Sequence, residues 1–221
     1  MILAAGKGKR MQDLTKSRPK PLLSVRGKML IENQIEKLAE AGVKEIVINV
    51  AYLADQIIES IGFGKKWGVK ICYSCEKEPL ETGGGICQAL PLLSDTFLSV
   101  NADIVTDYNY EELMKIKLSE KNQAHLILIN NPAHNLKGDF SLIENKPSMN
   151  LNAKTYTYSG IALYHRSLFE NYCPGKFGSV VEIWQKPLKE GLISASVHQG
   201  DWADIGTPER LTQINAHLMA K

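Results

Sequence analysis

The sequence has no apolar stretch approaching the roughly 18 residues that a membrane-crossing helix needs, so no span is expected. Met1 stands directly on a short apolar run, without a basic leader or cleavage pattern, and no secretory signal is expected either. Cysteine is sparse. Of the four, Cys72 and Cys75 make a single C-x-x-C, and no second pair supports a zinc site. Their odd offset within a strand-like run, residues 69–74, sends the two side chains to opposite faces. With Cys87 and Cys173 they read as packed, reduced cysteines of a cytoplasmic protein. Net charge is only +2, which argues against a general nucleic-acid surface. The five histidines (His125, His134, His165, His198 and His217) are scattered, and each is expected to be structural or to face solvent. Hydrophobic residues, at 44%, are ample for one core in a chain of 221 residues.

Acid is scarcest at the start. Residues 1–30 hold only Asp13 against Lys7, Lys9, Arg10, Lys16, Arg18, Lys20, Arg26 and Lys28. A local cationic cluster on a near-neutral chain points to a small anionic ligand. Residues 1–4 are an apolar run long enough only for a buried strand. Ala5-Gly6-Lys7-Gly8-Lys9-Arg10 follows at once. Two glycines free the backbone so that amides can close on a bulky anion, and Pro19 and Pro21 stiffen the cationic stretch behind them. A cation-lined turn at the C-terminal end of a strand suits a polyphosphate. It is not the G-x-x-x-x-G-K-[ST] loop, because Gly6 and Gly8 are too close and no Lys-Ser/Thr follows. It is not G-x-G-x-x-G, because Met11 stands where the third glycine belongs, and this weighs against a dinucleotide-dependent dehydrogenase. On these residues alone, a solvated basic loop remains the alternative.

Helical spacing runs through residues 29–41 and stops at Gly42; residues 45–50 read as a buried strand, 53–61 as a helix ended by Gly62, and 69–74 as a strand. This rhythm predicts an α/β fold, a mixed and mostly parallel sheet flanked by helices, with the loops leaving its strands along one edge. Further strands are expected at 97–100, 124–129, 155–164 and 193–197, and helices at 110–118, 166–172 and 178–190. A last helix starts at Pro208, with Thr207 as its N-cap, and runs through Met219. Residues 138–152 read as a hairpin, a small β extension of the sheet. Thr82 is expected to cap a helix starting in Gly83-Gly84-Gly85. Each glycine costs a helix about 1 kcal/mol relative to alanine, so three in a row imply a turn requirement, a ligand touching backbone, or a mobile loop. Asp103, just past a central strand, and Asp204 lie on the ligand edge, where an acid is a turn residue or a metal ligand.

Leu3-Ala4-Ala5-Gly6-Lys7-Gly8-Lys9-Arg10-Met11 followed by Lys20-Pro21-Leu22 resembles the signature of the sugar-1-phosphate nucleotidyltransferases. Asn101-Ala102-Asp103 and Trp202-Ala203-Asp204-Ile205-Gly206-Thr207 resemble two further motifs of that family, with Ala102 in place of a glycine and less room for sugar. The resemblance covers residues 1–219 and implies a Rossmann-like, GT-A-like fold. It implies one domain over residues 1–221, with 1–130 mainly for nucleotide and 131–221 mainly for sugar phosphate. By the same resemblance, Leu3, Ala4, Ala5, Gly6, Gly8 and Lys9 wrap a nucleoside triphosphate. Arg10 holds the leaving pyrophosphate, and Lys20 bridges to the reacting phosphates. Glu76, Thr82 and Gly83 are implied at the nucleobase, and Asp103 and Asp204 at Mg²⁺. Asn101, Gly138, Glu144 and Ser159 fall where relatives touch the sugar and its phosphate; for the last three, a hairpin surface position is an equal alternative. Pro79-Leu80-Glu81-Thr82-Gly83-Gly84-Gly85 and Thr106-Asp107-Tyr108 lean toward the uridylyl-transferring members. That implies UTP and a sugar 1-phosphate as partners, no nucleic acid or membrane, and a monomer or weak homo-oligomer. Glucose- or mannose-1-phosphate nucleotidyl transfer with another base is the alternative within the class. A non-catalytic nucleotide-sugar sensor is the alternative outside it, and the presence of Arg10, Lys20, Asp103 and Asp204 weighs against it.

Overall fold

Ile2, Ile48 and Val100 have no exposed surface, and they sit side by side on three parallel strands at the middle of one sheet. The computed structural model describes residues 1–172 and 175–216; Cys173, His217 and the expected end of the last helix at Met219 lie outside them. In chain order the strands are β1 (Ile2–Leu3), β2 (Ser24–Val25), β3 (Lys28–Met29), β4 (Glu45–Val50), β5 (Lys70–Cys75), β6 (Thr96–Asn101) and β7 (Ile104–Thr106). Then follow β8 (Ala124–Ile129), β9 (Phe140–Ile143), β10 (Lys146–Ser148), β11 (Thr155–His165), β12 (Ile193–His198) and β13 (Trp202–Asp204). The α-helices are α1 (Leu30–Glu40), α2 (Ala54–Ile61), α3 (Glu81–Ala89), α4 (Tyr110–Met114), α5 (Val180–Lys189) and α6 (Pro208–Ala216).

The main sheet is mixed. β5, β4, β1 and β6 are parallel neighbours; β11 runs antiparallel to β6 and to β8, and β12 is parallel to β8. The continuous apolar run of β4 is what a strand covered on both faces requires. One face carries α1, α2 and α4 over Ile2, Ile48 and Val100. The other carries α3 and α5, with Ile86, Ile183 and Trp184 packed on Leu126 and Phe169. Leu3 is in register with Asn49 and with Asn101, so β1, β4 and β6 end level, and the loops leaving them meet at one edge.

β11 pairs with β6, β8 and β9, and it does so because it bends. A register shift between Tyr158 and Ile161 marks a bulge at Ser159-Gly160. Gly160 holds φ +80, and a Cβ there would lie 2.6 Å from Asn101 Nδ2, so only glycine lets the strand turn over Asn101. On the other side of the bulge, Thr155 and Tyr156 pair with β9, which pairs with β10, so that these two strands extend the sheet at its edge. A separate two-stranded ladder joins β7 to β13.

Several local expectations differ. The helix expected at 110–118 stops at Met114, and 166–172 holds only a 3₁₀ turn, Arg166–Phe169. Cys75 is exposed at the end of its strand, whereas Cys87 is buried. Thr82 is not a cap: α3 opens at Glu81. The three glycines are buried, not a mobile loop. A Cβ on Gly83 would lie 2.7 Å from the Gly178 carbonyl, and one on Gly84 2.2 Å from that of Lys176, so the helix packs there on bare backbone. Among the described residues no helix is long and apolar enough to cross a membrane.

His125 on β8 lies between Ser194 and Ser196 of β12, each hydroxyl 2.9 Å from a ring nitrogen. Burial pushes its pKa down from 6.5 to about 4. The unfolded chain takes up a proton that the folded one refuses, so stability from this group is full above pH 6.5 and is lost as pH falls toward about 4. The loss is at most about 3 kcal/mol. Denaturant unfolding at pH 7 and pH 4.5 is expected to show a larger drop for the wild type than for His125→Asn; equal drops would remove His125 as the source.

Candidate active site

At the shared edge of β1, β4 and β6 lies a cleft of about 380 Å³. Leu3, Ala4, Ala5, Gly6, Gly8, Lys9, Arg10 and Lys20 line one side of it. Asn49 forms part of the floor, and Asn101, Ala102, Asp103 and Gly206 close the far side. Pro79, Glu81 and Thr82 reach it from the start of α3. Glu81 holds φ +60, a region that non-glycine residues rarely adopt and that clusters at functional sites.

The first loop is anchored from behind. Gly8 turns at φ +62 into a 3₁₀ segment, and the Met11 N–H donates to its carbonyl at 2.8 Å. Met11 is fully buried against Leu23, Val25, Leu30 and Ile205. The Thr15 hydroxyl donates to the Gly8 carbonyl at 3.1 Å, and the Tyr52 hydroxyl donates to the Thr15 carbonyl at 3.0 Å. Lys9 and Arg10 stay exposed on the cleft side of this anchor. Gly6 is different: its φ is not left-handed, and a Cβ there would meet nothing within 4 Å. Neither conformation nor packing within the protein demands glycine, and a ligand lying against the backbone would supply that demand. Gly6→Ala is therefore expected to keep the melting temperature while weakening nucleotide binding roughly tenfold, the scale of one misplaced methyl in a packed contact. Unchanged affinity, measured by titration calorimetry, would contradict it.

The floor is a chain of hydrogen bonds. The Ala4 N–H donates to Asn49 Oδ1 at 2.9 Å, and Asn49 Nδ2 donates to Glu76 Oε1 at 2.7 Å. Glu76 Oε2 accepts from the Leu80 N–H at 2.9 Å. Burial pushes the Glu76 carboxyl pKa up, against the pull of these two bonds. Both its oxygens are thus engaged beneath the cleft, and Glu76 does not line it. It holds Asn49 and the turn into α3. Asn49 was not singled out in the sequence. The available signal is the lone amide in Glu-Ile-Val-Ile-Asn-Val, an otherwise apolar strand interior.

The two acids come together through the small ladder. Asp204 pairs in register with Ile104, and the Ile205 N–H donates to the Asp103 carbonyl at 2.9 Å. Asp103 forms an ion pair with Lys20, whose side chains are 25% and 12% exposed. Asp204 forms an ion pair with Arg210, and His134 Nε2 lies 3.1 Å from the same carboxylate. His134 is thus not merely solvent-facing. Among the described residues no group of three or more His, Cys, Asp or Glu side chains could hold a metal. What the chain offers a divalent cation is two carboxylates. That suits a hard ion whose remaining ligands are phosphate and water oxygens, as is usual for Mg²⁺.

Besides Glu76, five residues singled out in the sequence do not line the cleft; one is Asp204, whose carboxylate is turned to Arg210 beside the lining residue Gly206. Gly83 is buried against the 176–179 backbone. Gly138 is a buried turn residue at φ +68, packed on Asn131 and Thr155. Glu144 sits in the exposed turn between β9 and β10 at φ +47. Ser159 is 1% exposed, and its hydroxyl donates to the Ile127 carbonyl at 2.7 Å and accepts from the Ile161 N–H, so it serves the bulge.

The family model for nucleotidyl transferases matches residues 1–221. An N-acetylmuramate alpha-1-phosphate uridylyltransferase of Neisseria meningitidis serogroup B is 42% identical, over 98% of this chain and 96% of that protein. The mannose-1-phosphate guanylyltransferase catalytic subunit beta of Xenopus tropicalis is 28% identical, over 95% of this chain but 61% of that one. Among solved structures, a putative glucose-1-phosphate thymidylyltransferase from Bacillus anthracis superposes with a TM-score of 0.86, covering 98% of this chain and 93% of that chain. At 21% identity that likeness bears on the fold alone.

Proposed function

The chain belongs to the nucleotidyl transferase family, and from that premise we propose that it joins UTP to N-acetylmuramate 1-phosphate, giving UDP-N-acetylmuramate and pyrophosphate. The product is a cell-wall precursor, and the proposed setting is cytoplasmic peptidoglycan recycling. Support comes from the 42% identical relative, whose name states this sugar and this nucleotidyl group. The observation that carries the reading is the cleft itself, lined by Lys9, Arg10 and Lys20 together with Asp103 and Gly206.

Two anionic reactants must meet and a third anion must leave. An oxygen of the acceptor phosphate attacks the α-phosphorus of the nucleotide. The bond to the bridging oxygen breaks, and its electron pair leaves with pyrophosphate. Backbone from Leu3 to Gly8 wraps the triphosphate, Lys9 and Arg10 take up the charge on departing pyrophosphate, and Lys20 turns from Asp103 to the α-phosphate. Asp103 and Asp204 would hold Mg²⁺, which offsets phosphate charge when bound. The acceptor phosphate is already ionised, so no general base is required. Thr82 and the start of α3 face the base, over a floor that Asn49 and Glu76 keep rigid, and Asn101 faces the sugar. Residues 1–130 then serve mainly the nucleotide and 131–221 mainly the acceptor.

Pyrophosphate release, measured for the four nucleoside triphosphates against several sugar 1-phosphates, tests this. UTP with N-acetylmuramate 1-phosphate is expected to exceed every other pair by about tenfold in kcat/KM, the scale of one polar contact read in the transition state. A faster reaction of GTP with mannose 1-phosphate would favour the alternative transferase, and no release from any pair would contradict catalysis.

A further inference from the structure

Arg210 and His134 are not used by the reading above, yet both are directed at one point. Arg210, near the start of α6, returns its guanidinium to the Asp204 carboxylate and is only 18% exposed. His134 Nε2 stands 3.1 Å from the same carboxylate and 2.9 Å from Arg210 Nη1. A Cβ on Gly206 would lie 2.1 Å from Arg210 Nη2 and 3.0 Å from Asp204 Oδ2. The guanidinium therefore lies directly over the backbone of a residue that lines the cleft.

The loop presenting His134 is held on both sides. Asn131 Nδ2 donates to Thr155 Oγ1 at 2.8 Å and to the Leu136 carbonyl at 3.2 Å. Asn135 Nδ2 donates to Thr157 Oγ1 and to Asp139 Oδ1, each at 3.1 Å. The cations assigned to the triphosphate come from the first 20 residues, so these two side chains are a separate set. What they hold here is a carboxylate, that of Asp204. Were Asp204 to turn to the phosphates, a guanidinium fork and an imidazole would be left without their carboxylate beside Gly206, which lines the cleft.

We propose that Arg210 and His134 select an acceptor sugar that carries a carboxylate in addition to its phosphate, with the Asp204 side chain standing in for it in this structure. The inference rests on the proposed function, whose acceptor carries a lactyl carboxylate that N-acetylglucosamine 1-phosphate lacks. It makes Arg210 a specificity-determining residue.

The test compares kcat/KM for N-acetylmuramate 1-phosphate and N-acetylglucosamine 1-phosphate, with UTP, in the wild type, Arg210→Met, Arg210→Lys and His134→Gln. Arg210→Met is expected to lower the value for the carboxylated acceptor about tenfold more than that for the other, the scale of one charge-assisted hydrogen bond. Arg210→Lys should fall between, because an ammonium keeps the charge but loses the fork, and His134→Gln should shift selectivity in the same sense by less. Equal losses for both acceptors would overturn the proposal, since Arg210 would then act through Asp204 or the shared phosphate. A wild type that does not turn over N-acetylmuramate 1-phosphate would instead sink the functional reading on which it rests. A readout independent of turnover is calorimetric titration of N-acetylmuramate, without its phosphate, into protein saturated with Mg²⁺ and a non-hydrolysable UTP analogue. Wild type should bind it at least about tenfold more tightly than Arg210→Met, with Arg210→Lys between the two; equal affinity in wild type and Arg210→Met would overturn the proposal, and thermal melts identify any variant that has lost its fold.

Discussion

Asp103→Asn is expected to lower turnover at least ~100-fold, the effect of removing one preorganised charge from a closed site. The substitution is nearly isosteric, and the Asp103 carbonyl still accepts from the Ile205 N–H, so the ladder that carries both acids survives. What is lost is charge. In the resting protein the carboxylate neutralises Lys20, whose side chain is 12% exposed and would be left beside a neutral amide. In the proposed reacting complex it would be one of the two carboxylates offered to Mg²⁺. Lys20→Ala should cost turnover on the same scale without raising the Mg²⁺ requirement, whereas Asp103→Asn should raise it. Steady-state pyrophosphate release over a Mg²⁺ titration checks both; near-normal turnover in a folded Asp103→Asn protein contradicts the assignment.

Asn49→Ala is expected to cause the largest loss of stability among the residues that line the cleft. The side chain is buried and bonds on both sides, to the Ala4 N–H and to Glu76 Oε1. Truncation leaves a buried amide hydrogen and a buried carboxylate oxygen without these partners, at roughly 1–3 kcal/mol each. A drop of about 3 kcal/mol in denaturant unfolding follows. Because Ala4 opens the phosphate loop, nucleotide affinity should fall as well, by about tenfold. A stability change within about 0.5 kcal/mol, the range of ordinary surface substitutions, would show that the floor contributes little.

The layered α/β fold was legible because apolar period and glycine stops alternate cleanly between residues 2 and 75, and β1, β4 and β5 sit where that pattern puts them. The loop of residues 3–10 was legible for a different reason: two glycines among cations describe a chemical requirement locally. The hydrogen-bond partners of Glu76 were not legible because they are set across space. Asn49 is 27 residues away, and only the folded sheet brings its amide against the carboxylate. The glycines of α3 were ambiguous on the same ground, since the backbone that forbids a Cβ at Gly84 belongs to Lys176. Ser159 matched a sugar-contact position, but the bulge needs its hydroxyl. His134 and Arg210 carry no local signal, because their meeting at Asp204 depends on a loop and a helix 76 residues apart.

Asp103 and Asp204, together with the opening loop, are proposed to hold a metal–triphosphate complex. Mn²⁺ in place of Mg²⁺, followed by electron paramagnetic resonance during titration with a non-hydrolysable UTP analogue, tests it most directly. Tightly held Mn²⁺ is expected in the wild type only when the nucleotide analogue is present, and its loss is expected in Asp103→Asn and in Asp204→Ala. Equal Mn²⁺ binding by all three proteins would contradict the account.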